Sequence, residues 1–118
     1  TNYGSGKNFI LIRYSEILLM YAEAVLQGAS GTAMAPLDAV NIVRERAGLE
    51  ELSALTIDDI IDEKFAEFGM EWGIRYRDMV RLKRYDELSY EGRVFTEDKI
   101  FLPYPQARVD ALPQLAGN

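Results

Sequence analysis

At 118 residues the chain is long enough for one modest domain and too short for two, and its 48% hydrophobic and 27% charged residues place it with globular proteins. A formal charge of −6 repels phosphate backbones and argues against nucleic acid as a partner. The absence of cysteine and histidine removes a disulfide framework, a thiolate zinc site, a thiol nucleophile and the usual general base of serine-type hydrolases.

The opening Asn2-Tyr3-Gly4-Ser5-Gly6 reads as a flexible lead-in cut from something upstream, and no charged-then-apolar signal segment follows Thr1. The longest apolar stretch, Ile10 to Leu26, is broken by Arg13, Glu16 and Glu23 and is not a membrane span. It predicts a first helix from about Phe9 to Gln27, stopped by Gly28. Ile10, Tyr14, Ile17, Leu18, Tyr21 and Val25 share one face at helical spacing. Ile12, Leu19 and Leu26 form a second apolar row on roughly the opposite side, leaving a polar strip of Arg13, Glu16, Glu23 and Gln27. A helix apolar on both flanks belongs between neighbours, so this one is expected to be central.

Gly28, Ser30, Gly31 and Thr32 mark a loop, and Pro36 suits the first turn of a second helix that carries Leu37, Val40, Val43 and Ala47 to Gly48. Asn41, Arg44 and Arg46 lie along its sides. Thr56 and Asp59 form a short capping box that opens a third helix, whose expected buried face is Ile57, Ile60, Ile61, Phe65 and Phe68. Gly69 and Gly73 bracket a corner. A fourth helix is expected to run to about Tyr85, burying Trp72, Tyr76, Met79, Val80 and Leu82.

Beyond Tyr85 the helical period is lost. Val94-Phe95 and Ile100-Phe101-Leu102 read as short extended segments around a turn at Thr96-Glu97-Asp98-Lys99, and Pro103-Tyr104-Pro105 forces an extended path. Pro113 and the closing Ala116-Gly117-Asn118 read as a tail over the surface. The expected organisation is therefore one module over residues 1–118, mainly α, with helical hairpins at 9–48 and 56–85 and an extended or β tail over 94–118. The hairpins repeat in form, but they differ in length and lack evident tetratricopeptide signature residues.

Charge is segregated across the second hairpin. Glu50 to Glu71 is acidic apart from Lys64, while Arg75, Arg77, Arg81, Lys83 and Arg84 face only Asp78. This predicts pairing of Glu63 and Glu67 with Arg75 or Arg81, and of Asp78 with Arg75 and Arg81 at i, i±3. Glu16 and Glu23, on a buried helix, are assigned Arg44 and Arg46 as the nearest cations in sequence.

Chemistry finds little purchase on these residues. Glu63, Glu67 and Glu71 follow one another at i, i+4, and paired carboxylates can cleave glycosidic bonds, but three on one helix side cannot flank a bond from opposite faces. Asp58-Asp59 with Asp62-Glu63 sit at a helix start, not in the bent, glycine-containing loop that calcium needs. The Arg75-Tyr76-Arg77-Asp78-Arg81 cluster could grip an anion but is partly self-satisfied. Tyr14, Tyr21, Trp72 and Tyr76 fall at core periods, leaving Tyr3, Tyr90 and Tyr104 as the freer aromatics for a sugar ring. No catalytic residue, metal ligand or cofactor is assigned, and the ligand-binding residues stay open.

The order of segments carries more than any one of them. Residues 12–24, Ile-Arg-Tyr-Ser-Glu-Ile-Leu-Leu-Met-Tyr-Ala-Glu-Ala, resemble the IRLAEVYLNYAEA helix of the SusD/RagB family, and residues 39–49, Ala-Val-Asn-Ile-Val-Arg-Glu-Arg-Ala-Gly-Leu, its VNxVRxRAGL. Glu63 to Phe68 is similar to that family's ERxxEL, Gly73 to Arg81 to its GxRxxDLVR, and Phe101 to Pro105 to its FPIP. The stretch from Asp110 to Asn118 is similar to its NPxLxQN ending. Two departures stand out: Trp72 separates Glu71 from the glycine it usually abuts, which suggests an altered corner, and Asp110-Ala111-Leu112-Pro113 replaces Asn-Pro.

The resemblance implies tetratricopeptide-like hairpins in an α/α superhelix. It also implies a surface lipoprotein of the Gram-negative outer membrane that captures oligosaccharides or other nutrients for a SusC-like TonB-dependent transporter. This chain would be the carboxy-terminal structural part, packed on upstream helices, with the lipid anchor and most ligand-contacting loops elsewhere. The alternatives are a free-standing helical-repeat module that binds a peptide or protein and, with least to support it, a small carboxylate-based hydrolase.

Overall fold

A computed structural model of the chain describes residues 6, 8, 10–31, 33–71, 73–112 and 114. It is mainly helical: α1 (Tyr14–Leu26), α2 (Pro36–Arg46), α3 (Ile57–Phe68), α4 (Ile74–Arg81) and α5 (Gln106–Ala111), with 3-10 turns at Tyr85–Leu88 and Glu97–Lys99. Contacts divide the chain into two units, Thr1–Arg75 and Tyr76–Asn118, with the boundary inside α4.

In the first unit α1 packs on both α2 and α3, so the central position expected of it holds. Leu18, Leu19 and Ala22 of α1 meet Ala39, Val40 and Val43 of α2 and Ile60 and Phe68 of α3, with Ile74 closing the cluster. The alanines at 22 and 39 are wholly buried, and side chains that small let α1 and α2 approach closely.

Only one flank of α1 is covered. Tyr14, Ile17, Met20 and Leu26 are exposed, contrary to a helix buried on both sides. The helix also starts later than the apolar pattern predicts. Arg13 takes an extended N-cap conformation, and Ile10, Leu11 and Ile12 before it are non-helical and exposed. The expected start at Phe9 lies outside the described residues, as do Trp72, Tyr3, Pro113 and the closing Ala116-Gly117-Asn118.

Helix ends follow local chemistry. The carboxy-terminal turns of α1 and α2 are Schellman motifs: Ala29 and Gly28 amides donate to Ala24 and Val25 carbonyls, and Leu49 and Gly48 amides to Arg44 and Glu45 carbonyls. Pro36 opens α2, and the Thr56–Asp59 capping box opens α3, both as predicted. Between α1 and α2, a methyl group on Gly31 would stand 2.4 Å from a Val25 methyl, so the loop can pass there only without a side chain. The Tyr21 hydroxyl donates to the Met34 carbonyl at 2.8 Å and secures the same loop. Asn41 holds the α2–α3 linker as a strand would, exchanging two bonds with the Leu52 backbone at 2.9 and 3.0 Å.

Phe65, expected in the core, is about half exposed and carries the Arg75 guanidinium over its ring at 4.7 Å.

In the second unit α4 stops at Arg81 rather than near Tyr85. Arg84 and Lys83 amides return to Met79 and Val80 carbonyls, the same terminal motif, with Lys83 in the left-handed region at φ 56°. A glycine would announce that turn; a lysine does not. Met79 is buried as expected, whereas Tyr76 is exposed and gives its hydroxyl to the Ile100 carbonyl at 2.8 Å. Its ring meets Phe95 edge-on at 6.0 Å, and Tyr85 lies 6.1 Å from the same ring.

The segments at Val94-Phe95 and Ile100–Leu102 do not pair as strands. The β-bridge among the described residues joins Tyr90 to Arg93 across Glu91 and Gly92, both at positive φ, as in a type I′ turn. The expected turn at Thr96–Lys99 is the second 3-10 segment, and α5 follows the extended Pro105. Gln106 donates to Asp110 at 2.8 Å along α5, an i, i+4 bond the proline-rich approach did not foretell.

Candidate functional site

The i, i+4 carboxylates are Glu63 and Glu67 on α3 and Glu71 in the turn after it, and the structure gives each of them a cation from elsewhere in the first unit. Arg44 of α2 reaches Glu63 at 2.7 Å. Arg46, two residues on, reaches Glu67 at 2.5 Å. Arg13, just ahead of α1, reaches Glu67 at 2.7 Å and Glu71 at 2.9 Å. The expected partners, Arg75 and Arg81, are not the ones used by Glu63 and Glu67. The α1 and α2 arginines arrive on the side of α3 that carries the carboxylates, and Arg81 is paired with Asp78 at 2.7 Å.

Arg13 is the hub. Its Nε and Nη2 grip Glu71 in a bidentate pair, at 2.9 and 3.0 Å. Nη1 donates to Glu67 Oε1 and to the Ser15 hydroxyl oxygen, and Nη2 also donates to the Glu67 carbonyl at 3.1 Å. That carbonyl belongs to the last turn of α3, where a cation suits both the unpaired acceptor and the helix dipole. The guanidinium lies 4.8 Å from the centre of the Phe68 ring. One side chain thus ties the start of α1 to the end of α3.

Electrostatics follow from that geometry. The Glu71 and Glu67 carboxylates raise the Arg13 pKa further above neutral. Burial alone would push the Glu67 carboxyl upward, but the Ser15 hydroxyl, Arg13 and Arg46 more than offset it and hold the pKa below the ordinary glutamate value. A general acid at a glycosidic bond must keep its proton near neutrality. Glu67 is driven the other way.

The Glu23 carboxylate is buried, and it too is reached by a cation that is not the nearest in sequence. Lys64 Nζ of α3 donates to it at 2.6 Å, with side-chain exposures of 6% and 8%. Gln27, one turn along, adds an amide bond at 3.1 Å. Arg44 and Arg46, expected to serve α1, are committed to α3 instead. The acidic group at the start of α3 is also spoken for in part: the Thr56 hydroxyl and backbone amide bond to Asp59 and lower its pKa, and Glu63 faces Arg44.

The aromatic candidates fall in both units. Tyr90 is exposed in the tight turn of the second unit. Tyr104 is half exposed beside Asp98, Lys99, Phe101 and Leu102, around an open depression of about 820 Å³. Tyr14, expected in the core, lines a separate groove of about 630 Å³ with Arg13, Leu18, Ile42, Glu45 and Arg46.

The segments that meet in the charge network are the ones whose patterns resemble a known family: Arg13 and Ser15, Arg44 and Arg46, Glu63 and Glu67. Residues 1–96 match the model of the SusD family. The chain belongs to the SusD family. It is 43% identical over 79 residues to a SusD-like protein of Bacteroides ovatus, an alignment covering 66% of this chain and 14% of that relative. No solved structure matches it. Among the described residues no helix of this SusD-family chain is long and apolar enough to cross a membrane.

Proposed function

We propose that the chain is a structural segment of a SusD-like protein that binds glycan or another nutrient at the cell surface and delivers it to a SusC-like TonB-dependent transporter. The whole protein would be an outer-membrane lipoprotein, its anchor in an upstream part, and it would not be a catalyst. The observation that carries this reading is family membership over residues 1–96, joined to a relative of which the matched stretch is a small fraction.

The charge network supports a supporting role for this segment. The carboxylates best placed for chemistry are each held by an arginine and fix helices to one another. Exposed apolar side chains along α1 fit a segment that packs against more protein than is described, which favours a part over a free-standing module.

The test is calorimetric titration of the 118-residue chain and of the longest protein carrying it against a panel of oligosaccharides, with pull-down of the TonB-dependent transporter by the latter. Binding and co-purification by the longer protein, with neither by the isolated chain, is the expected outcome. Equal affinity in the isolated chain would overturn the structural role, and cleavage of any glycan would overturn the non-catalytic reading.

A further inference from the structure

We draw no further inference here: the strongest candidate, the open groove along α1 and α2 floored by Tyr14, Leu18 and Ile42 and rimmed by Arg13, Glu45 and Arg46, carries nothing because nothing in the structure shows what covers its apolar floor.

Discussion

Replacing Arg13 by methionine keeps much of its apolar stem and removes the guanidinium that joins α1 to α3. Five hydrogen bonds go with it, two to Glu71, one each to the Glu67 carboxylate and carbonyl, and one to Ser15. The Glu71 arm contributes under about 1 kcal/mol, because Glu71 is 43% exposed and water screens and replaces the pair. The Glu67 arm is different, since that carboxylate is only 7% exposed. It still keeps Arg46 and Ser15, so the loss is one charge-assisted bond, about 1.5–3 kcal/mol, and not the full penalty of an orphaned buried charge. The sum is about 1.5–4 kcal/mol. Arg46→Met is the control: its side chain is 61% exposed and touches the same carboxylate, so it should cost under about 1 kcal/mol. Urea titrations of the three proteins at pH 7, with unchanged slopes, measure both values. If the two variants shift the midpoint equally, burial does not grade this network and the reasoning fails.

The same carboxylate gives the pair an acid limb. Folded Glu67 holds its proton less tightly than the ordinary value of 4.5, so acidification loads protons preferentially onto the unfolded chain. Its contribution is complete above that ordinary value and is lost as pH falls through the lower, folded one. Arg13→Met, having removed one cause of the depression, should lose less stability than the parent as pH falls through the carboxylate range, read from urea midpoints across that range.

Three further substitutions test other parts of the first and second units. Gly31→Ala drives a methyl into Val25 and the Tyr21 hydroxyl and should destabilise by about 1–3 kcal/mol, read as a lower thermal midpoint. Lys83→Gly should stabilise α4 by about 0.5–1 kcal/mol, because the position is left-handed and glycine takes that conformation without strain; a loss of stability would mean the lysine side chain matters more than its backbone. Lys64→Met should cost about 3–5 kcal/mol by taking the ammonium from a buried carboxylate, while adding Glu23→Gln to it should recover most of that in the same denaturation assay.

Where a helix begins or ends through its own residues, the sequence is legible. Pro36, the Thr56–Asp59 box, Gly28, Gly48 and Gly69 act within a turn of themselves, and the structure uses each one. The end of α4 is illegible because Lys83 adopts a glycine's conformation, and the start of α1 because Arg13 takes the N-cap position without a capping side chain. Tyr14, Phe65 and Tyr76 show the limit of periodicity. Spacing places them on apolar faces, but how much of each helix its neighbours cover is a tertiary fact. Ion pairs are harder still. Sequence proximity favoured Arg75 or Arg81 for Glu67, whereas Arg13 lies 54 residues away and Arg46 lies 21 away. Mutual attraction is indifferent to the length of chain between two charges once the core has brought them together.

That core alone leaves one ambiguity, and the charges resolve it. Apolar burial is non-directional, so α3 could slide along α1 and α2 by a turn, about 5.4 Å, and still cover much of its surface. The surface arginines would not prevent this. Glu63 stands one turn before Glu67 on α3, so a slip in that direction brings another carboxylate to the place Glu67 leaves, and Arg13 and Arg46 would still find a partner. Lys64 has no such repeat. Four residues to either side stand Ile60 and Phe68, and either slip would set an apolar side chain against the buried Glu23 carboxylate. A carboxylate so placed, deprived of its ammonium, would cost several kcal/mol. Within a ladder of interchangeable acids, the lone cation is the group that can specify register, and α3 holds it on the face turned toward α1.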